Sequence, residues 1–321
     1  TVHLPRERDA FAPGQSAAQC VCVRMLLGGV VRCGFRVLST HSSRSGHHHR
    51  TVPVLSGVKH VVAVASGKGG VGKSTCAVNL ALGLSALGMR VGILDADIYG
   101  PSIPKLLHLN DLPQTQDDHM VPLHNYGLQC MSMGFLVPPD QATIWRGPMV
   151  MSALRQMLRQ TLWGDLDVLV VDLPPGTGDV QLSLSQEVPL SGAVVISTPQ
   201  DLALMDARRG IHMFRRISVP LIGLVENMSY FACPSCGHVE HIFGTAGARA
   251  TAQEFEIPFL GEIPLHSSIR SSSDEGQPVV FCEAEESPQR MAFMEIATRV
   301  KDFLENVDRT GGQQEPSITM E

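Results

Sequence analysis

The sequence predicts an α/β fold, a doubly wound and mostly parallel sheet, and three observations carry that prediction. Short β-branched apolar runs alternate with helical patterns from His60 onward, an order that demands parallel pairing and right-handed crossovers. A glycine-rich turn, Gly67–Thr75, lies between the first such run and the first helical pattern. Several runs end in an acid or an amide, namely Asp95, Asp172 and Asn227, at the sheet edge where α/β proteins bind ligands.

The elements follow in order. His60–Ala65 is the first strand, Ser74–Leu87 the first helix with Gly88 as its stop, and Arg90–Leu94 the second strand, ending at Asp95. Leu128–Met133 and Asp167–Val171 read as further strands with a helix, Met149–Leu162, between them. Strand Ala193–Ser197, helix Asp201–Arg215, strand Leu221–Glu226, helix Ala246–Phe255 and strand Phe259–Ile263 come next, and an amphipathic helix at Ser287–Val307 closes the body. An insertion is expected near 229–243.

The chain has 321 residues, 44% of them hydrophobic and 17% charged, which excludes wholesale disorder. A chain this long folds without needing disulfide or metal staples. It contains no run of 18 uncharged apolar residues, so no transmembrane segment is expected. Residues 1–58 hold seven Arg, no Lys and two acids, a balance of +5, whereas the remainder holds 18 basic and 29 acidic residues, a balance of −11. An acidic body argues against nucleic acid as a partner, which needs a basic face.

From Ala10 to Val58 there are five Arg and six Ser but no acid. Arg24, Arg32 and Arg36 fall on one side of a helix at ~100° per residue. Such a start reads as a mitochondrial transit peptide and predicts the mitochondrial matrix as location. The expected organisation is a transit peptide at 1–38, a linker at 39–57, one α/β body at 58–308 and a polar tail at 309–321.

Gly67-Lys68-Gly69-Gly70-Val71-Gly72-Lys73-Ser74-Thr75 fits G-x-x-x-x-G-K-[ST] between a strand and a helix, the context that makes the pattern specific. Its glycines let backbone N–H groups converge on phosphate oxygens, and the helix N-terminus adds positive potential. Lys73 is expected to reach the β- and γ-phosphates of ATP, Ser74 to ligate Mg²⁺ and Thr75 to support the α-phosphate. Asp97 is assigned to the attacking water and Asp95 to the metal side, while Asp172 ends an apolar strand beside Mg²⁺. The Gly176 N–H in the following turn is a candidate γ-phosphate sensor. One strand-end Asp alone is an ordinary helix cap; several at one sheet edge make a site.

Of eight Cys, three fall in the leader, and Cys76, Cys130 and Cys282 are isolated and read as buried apolar residues. Cys233-Pro234-Ser235-Cys236 is different, because two thiolates on one tight turn suit a soft metal or a cluster. One pair supplies two of the roughly four ligands that zinc or [4Fe–4S] wants. A Cys₂His₂ zinc site with His238 and His241, a redox pair, and a Cys₄ site shared by two chains all remain open at this point.

Ser66–Thr75, Leu94–Ser102, Met131–Phe135, Trp145–Pro148, Val171–Gln181, Ser197–Asp201, Glu226–Met228 and Cys233–Cys236 together resemble the Mrp-type ATP-binding iron–sulfur carrier family, within the MinD/ParA-like P-loop NTPases, over about Val58 to Phe281. The resemblance implies a homodimer in which Lys68 crosses to the partner's nucleotide and stabilises charge in trans. It also implies adenine contacts from Asn227 and from the segment at Pro264 and Leu265, and a [4Fe–4S] cluster bridged by Cys233 and Cys236 of two protomers. With the basic leader, it implies cluster delivery to apo iron–sulfur proteins, complex I subunits among them, with slow ATP hydrolysis. Two features depart from the pattern: Cys76 stands where Thr or Ala is commoner, and no N-terminal four-cysteine motif is present. A MinD/ParA-like positioning ATPase on DNA or membrane, and a zinc-stabilised nucleotide switch without a cluster, are the competing readings. The mixed charge of the Ser287–Val307 helix disfavours a membrane-binding form.

Overall fold

The computed structural model describes residues 55–98, 100–136, 147–176 and 179–310. The expected transit peptide, nearly all of the linker and almost the whole tail lie outside them. In chain order the strands are β1 (Val58–Ser66), β2 (Val91–Asp95), the hairpin β3–β4 (Thr115–Gln116 and His119–Met120), β5 (Leu123–Asn125), β6 (Leu128–Ser132), β7 (Leu166–Asp172), β8 (Gly192–Ser197), β9 (Leu221–Glu226), the hairpin β10–β11 (Phe231–Ala232 and Val239–Glu240) and β12 (Phe259–Glu262). The helices are α1 (Lys73–Ala86), α2 (Ile103–Leu106), α3 (Gly147–Arg159), α4 (Asp179–Glu187), α5 (Asp201–Arg216), α6 (Gly247–Glu254), α7 (Ser267–Glu275), α8 (Val279–Cys282) and α9 (Pro288–Arg309).

Eight strands form one sheet in the order β12-β9-β8-β1-β7-β2-β6-β5. Every pairing in it is parallel except β5 with β6. The order reverses at β1: the chain steps from β1 to β2 in one direction and from β8 through β9 to β12 in the other. Right-handed crossovers in opposite directions put the connecting helices on opposite faces, and the crevice at the reversal is where such sheets bind ligands. The central strands are buried on both faces, as β1 shows, with Val62, Ala63 and Val64 fully inaccessible.

The expected elements are present with ends shifted by a few residues. The third strand stops at Ser132 because Met133–Phe135 turns into a 3₁₀ segment capped by the Ser132 side chain. The last helix starts as expected, with the Ser287 side chain accepting from Arg290 N and Pro288 in the first turn. Sequence reading missed β5, α2, α4, α7 and α8, all short or polar. Leu55, at the end of the expected linker, is buried in the core.

α1 and α9 approach closely at Gly83, where an added Cβ would lie 2.6 Å from the Cβ of Ala297. The far end of α9 is tied to β1 through Asp308, which accepts from Lys59 at 2.5 Å and lies 3.1 Å from His60 Nε2. Gly83→Leu is therefore expected to force the two helices apart at a cost of about 1–3 kcal/mol. A melting temperature equal to that of the parent chain would show that this contact is not close-packed.

Candidate functional site

The turn from β1 into α1 sits at the sheet reversal. Gly70 and Gly72 have φ of 81° and 82°, in the left-handed region that side chains avoid. Space as well as conformation requires glycine here. A Cβ at Gly67 would collide with the α5 backbone at Asp206, and one at Gly72 with the amide of Asn227. Gly69 and Gly70 instead face open space, the room a phosphate chain needs. The loop is braced by Asn227 Nδ2 donating to Val71 O at 2.8 Å and by Ser66 Oγ donating to Lys68 O at 2.9 Å.

Lys73 is buried and its Nζ donates to Asp172 Oδ1 at 2.6 Å. Asp172 ends β7 and is fully buried, and among the described residues its Oδ2 has no hydrogen-bond partner. Burial raises its pKa above the usual carboxylate range, while Lys73 pulls it back. An orphaned buried carboxylate oxygen, with Ser74 close by, is the donor set a hard divalent cation or its water ligands fit. The residues present therefore suit Mg²⁺.

Asp95 and Asp172 are register partners on β2 and β7. Burial and the neighbouring Asp172 push the Asp95 carboxyl up to about 7. Both of its oxygens are already used. Oδ1 accepts from Asp97 N, and Oδ2 accepts from Ser102 N, Ile103 N and Ser132 Oγ, at 3.0–3.2 Å. Asp95, expected on the metal side, here braces the loop after β2. Asp97 is half-buried and lines the cavity beside the loop, with one oxygen accepting from Gly100 N. The Gly176 N–H is engaged as well, donating to Ser66 O at 2.9 Å, so here it is not free to sense a phosphate. Lys68 is exposed, and among the described residues its ammonium has no hydrogen-bond or ion-pair partner.

Two cavities adjoin beside the loop. The first, about 370 Å³, is lined by the glycine loop, Lys68, Lys73, Ser74 and Asp97. The second, about 220 Å³, is lined by Asn227, Met228, Pro264, Leu265, His266 and Ile269. They share Gly72, Thr75, Ser273 and Asp274. A polar, glycine-lined chamber followed by one with apolar walls is the shape of a nucleotide, phosphates first and base second. Asn227, expected to contact adenine, lines the second cavity, and one of its amide N–H groups holds the phosphate loop. His266 and the α7 wall were missed, because α7 is a serine-rich stretch with no apolar periodicity.

Cys233 and Cys236 sit in the turn of the β10–β11 hairpin, both free, with Cys233 half-buried and Cys236 exposed. Cys233 N donates to His238 O and Gly237 N to Cys233 O, closing the turn at 2.9 and 2.8 Å. The N–H groups of Ser235 and Cys236 lower the Cys233 thiol pKa. His241 Nδ1 lies 3.1 Å from Ser229 O and its ring packs edge-on to Tyr230. Among the described residues no group of three or more His, Cys, Asp or Glu is placed to hold a metal. The single-chain Cys₂His₂ alternative is accordingly not assembled. Cys76 is the opposite case: fully buried below the loop, its thiol is pushed up to about 12 by burial, as a packing residue. Alkylation of Cys233 in the reduced chain is expected to titrate with a midpoint below that of an unstructured cysteine. A midpoint at or above it would remove the hydrogen-bonded turn.

Residues 57–301 match the family described as NUBPL iron-transfer P-loop NTPase, within ParA. An iron–sulfur cluster transfer protein NUBPL of Dictyostelium discoideum is 53% identical over 281 residues, 85% of this chain and 87% of its own length. An Arabidopsis thaliana iron–sulfur protein required for NADH dehydrogenase, mitochondrial, is 54% identical over 83% of this chain and 87% of its own. Among solved structures, a nucleotide-binding protein of Archaeoglobus fulgidus in complex with ADP superposes with a TM-score of 0.64 at 38% identity, covering 74% of this chain and 92% of that one. Phosphate loop, orphaned strand-end carboxylate and cysteine hairpin are thus found in a chain that belongs to the NUBPL iron-transfer P-loop NTPase family.

Proposed function

We propose that the chain is an ATP-binding carrier that takes up a [4Fe–4S] cluster and transfers it to apo iron–sulfur proteins of the mitochondrial matrix, complex I subunits among them. The observation that carries this reading is the cysteine hairpin: two thiols at a surface turn, with no third ligand among the described residues. Such a half-site holds cargo only when a second half faces it, so the reading includes a homodimer with Cys233 and Cys236 of each copy around one cluster. Open ligation between two surfaces suits a cargo that must leave. The similarity to cluster-transfer proteins, including one required for NADH dehydrogenase, supports the recipients and the mitochondrial location. The basic leader at 1–38 and the linker at 39–57 agree with it, ahead of a body at 58–308 and a tail at 309–321.

In this reading the nucleotide site holds MgATP, whose phosphoanhydride supplies the energy that opens or closes the dimer. The N–H groups of Gly69, Gly70 and Gly72 and the start of α1 bind the phosphates. Lys73 leaves Asp172 for the phosphates, and Asp172 with Ser74 takes the metal side. Asp97, half-buried at the cavity wall, orients water. Lys68, exposed and without an ion-pair partner among the described residues, is free to reach a second copy. Catalysis by these groups is positioning and charge stabilisation, so turnover without a partner is weak.

Lys73→Ala is expected to lower MgATP affinity roughly 10–100-fold, the scale of lost charge-assisted bonds. It also strands the buried Asp172 carboxylate, so thermal stability falls with it. Unchanged affinity in a folded variant, by calorimetry, would discredit the phosphate loop. Anaerobic reconstitution of the full chain is expected to give a brown species with four irons per dimer. Cys233→Ser and Cys236→Ser should each abolish it, and four irons retained in either variant, or zinc in place of iron, would refute the assignment.

A further inference from the structure

We propose that His266 reads the base of the bound nucleotide, donating a hydrogen bond from Nε2 to a ring nitrogen of a purine. This assignment depends on the nucleotide-binding reading of the same cavities. His266 lines the second cavity together with Asn227, Met228, Pro264 and Leu265. Its Nδ1 edge is held from the protein side. The Ser268 backbone N–H donates to Nδ1 at 3.2 Å, the Ser268 hydroxyl lies at 2.8 Å, and Gln289 Nε2, reaching over from α9, lies at 3.1 Å.

A backbone N–H has no alternative but to donate, so Nδ1 is the acceptor and carries no proton. The proton of the neutral ring therefore sits on Nε2. Among the described residues nothing accepts it. Gln289 is itself buried and bonds Ser268 Oγ at 3.0 Å as well, which fixes the ring against rotation. Elsewhere on this wall one Asn227 N–H is held by Val71 O, Arg270 pairs with Asp274, and Ser273 Oγ donates to Ile269 O. A rigid donor without an acceptor, on the wall of a cavity with apolar neighbours, matches a heteroaromatic ring that brings acceptor nitrogens in its own plane. Purines carry such nitrogens at N1, N3 and N7.

His266 also caps α7 by accepting from Ser268 N, so its removal has a structural effect that must be separated from recognition. Asn is a good cap but too short to place a donor where Nε2 lies. The test is binding of ATP, 1-deaza-, 3-deaza- and 7-deaza-ATP and 2′-deoxy-ATP to the full wild-type chain and to His266→Asn, by calorimetry. The wild type should bind one deaza analogue about 3–10-fold more weakly than ATP, the span of one net hydrogen bond. His266→Asn should bind ATP more weakly by the same factor and show no further loss with that analogue. A penalty retained in His266→Asn, or equal wild-type affinity for ATP and every deaza analogue, overturns the proposal. A penalty confined to 2′-deoxy-ATP and lost in the variant overturns the ring-nitrogen contact in favour of the ribose. A wild-type chain that binds no adenine nucleotide removes the nucleotide reading itself, whereas binding that is indifferent to His266 removes only this inference.

Discussion

The ion pair between Lys73 and Asp172 is the interaction on which the rest of the site depends. Its two members come from the first turn of α1 and the last residue of β7, and they meet at 2.6 Å with almost no exposure. Removing two charges from water costs several kcal/mol per ion, so such a pair is a poor source of stability. Here the pairing is also incomplete, because among the described residues Asp172 Oδ2 is left without a partner. A fold selected only for stability would fill this place with apolar side chains. Keeping a buried lysine and a half-satisfied carboxylate at the sheet reversal makes sense when an anion and a cation are to arrive together and take over both charges.

The surrounding packing holds that arrangement in place. β1 and β7 are neighbours with Val64 opposite Asp172, and β2 sets Asp95 opposite the same residue. Two carboxylates side by side repel, and the four donors gathered around Asp95 are the counterweight. The glycines of the loop contribute as much by what they exclude as by their flexibility. Gly67 lets α5 lie directly against the loop, and Gly72 lets Asn227 reach over it to Val71. A side chain at either place would push away the element that fixes the loop's path.

Much of this was legible in the sequence, for reasons that can be named. Strands such as β1 and β7 are continuous apolar runs because both faces are covered, and their terminal polar residues stand out against that background. The phosphate loop is local, so its whole signal lies in nine consecutive residues. What escaped reading is non-local or without periodicity. The engagement of Asp95 is set by Ser102, Ile103 and Ser132, whose approach only the folded chain reveals. The tautomer of His266 is fixed partly by Gln289, 23 residues on and in another helix. The edge strand β5 has three residues, and α7 is mostly serine with no buried face. Neither has a pattern that could announce it.

The cysteine hairpin is not a loose appendage to the nucleotide site, because the same short segment serves both. β9 ends at Glu226, fully buried, whose carboxylate accepts from Ser229 Oγ and from Ala248 N at 2.7 Å. Asn227 follows and holds the phosphate loop. Met228, in a left-handed conformation with φ 56°, turns the chain back along the cavity. Ser229 N then donates to Ile263 O, and Tyr230 O accepts from Leu265 N, which fastens the segment to the wall of the second cavity. His241, on the return of the hairpin, closes the far side at Ser229 O. Three residues after Tyr230 comes Cys233. A chain path this short, with a hydrogen bond at nearly every residue, leaves little slack between the atoms that hold the phosphate loop and those that would hold a cluster. The position of the two thiols on the surface is therefore set from the same anchor points as the base cavity.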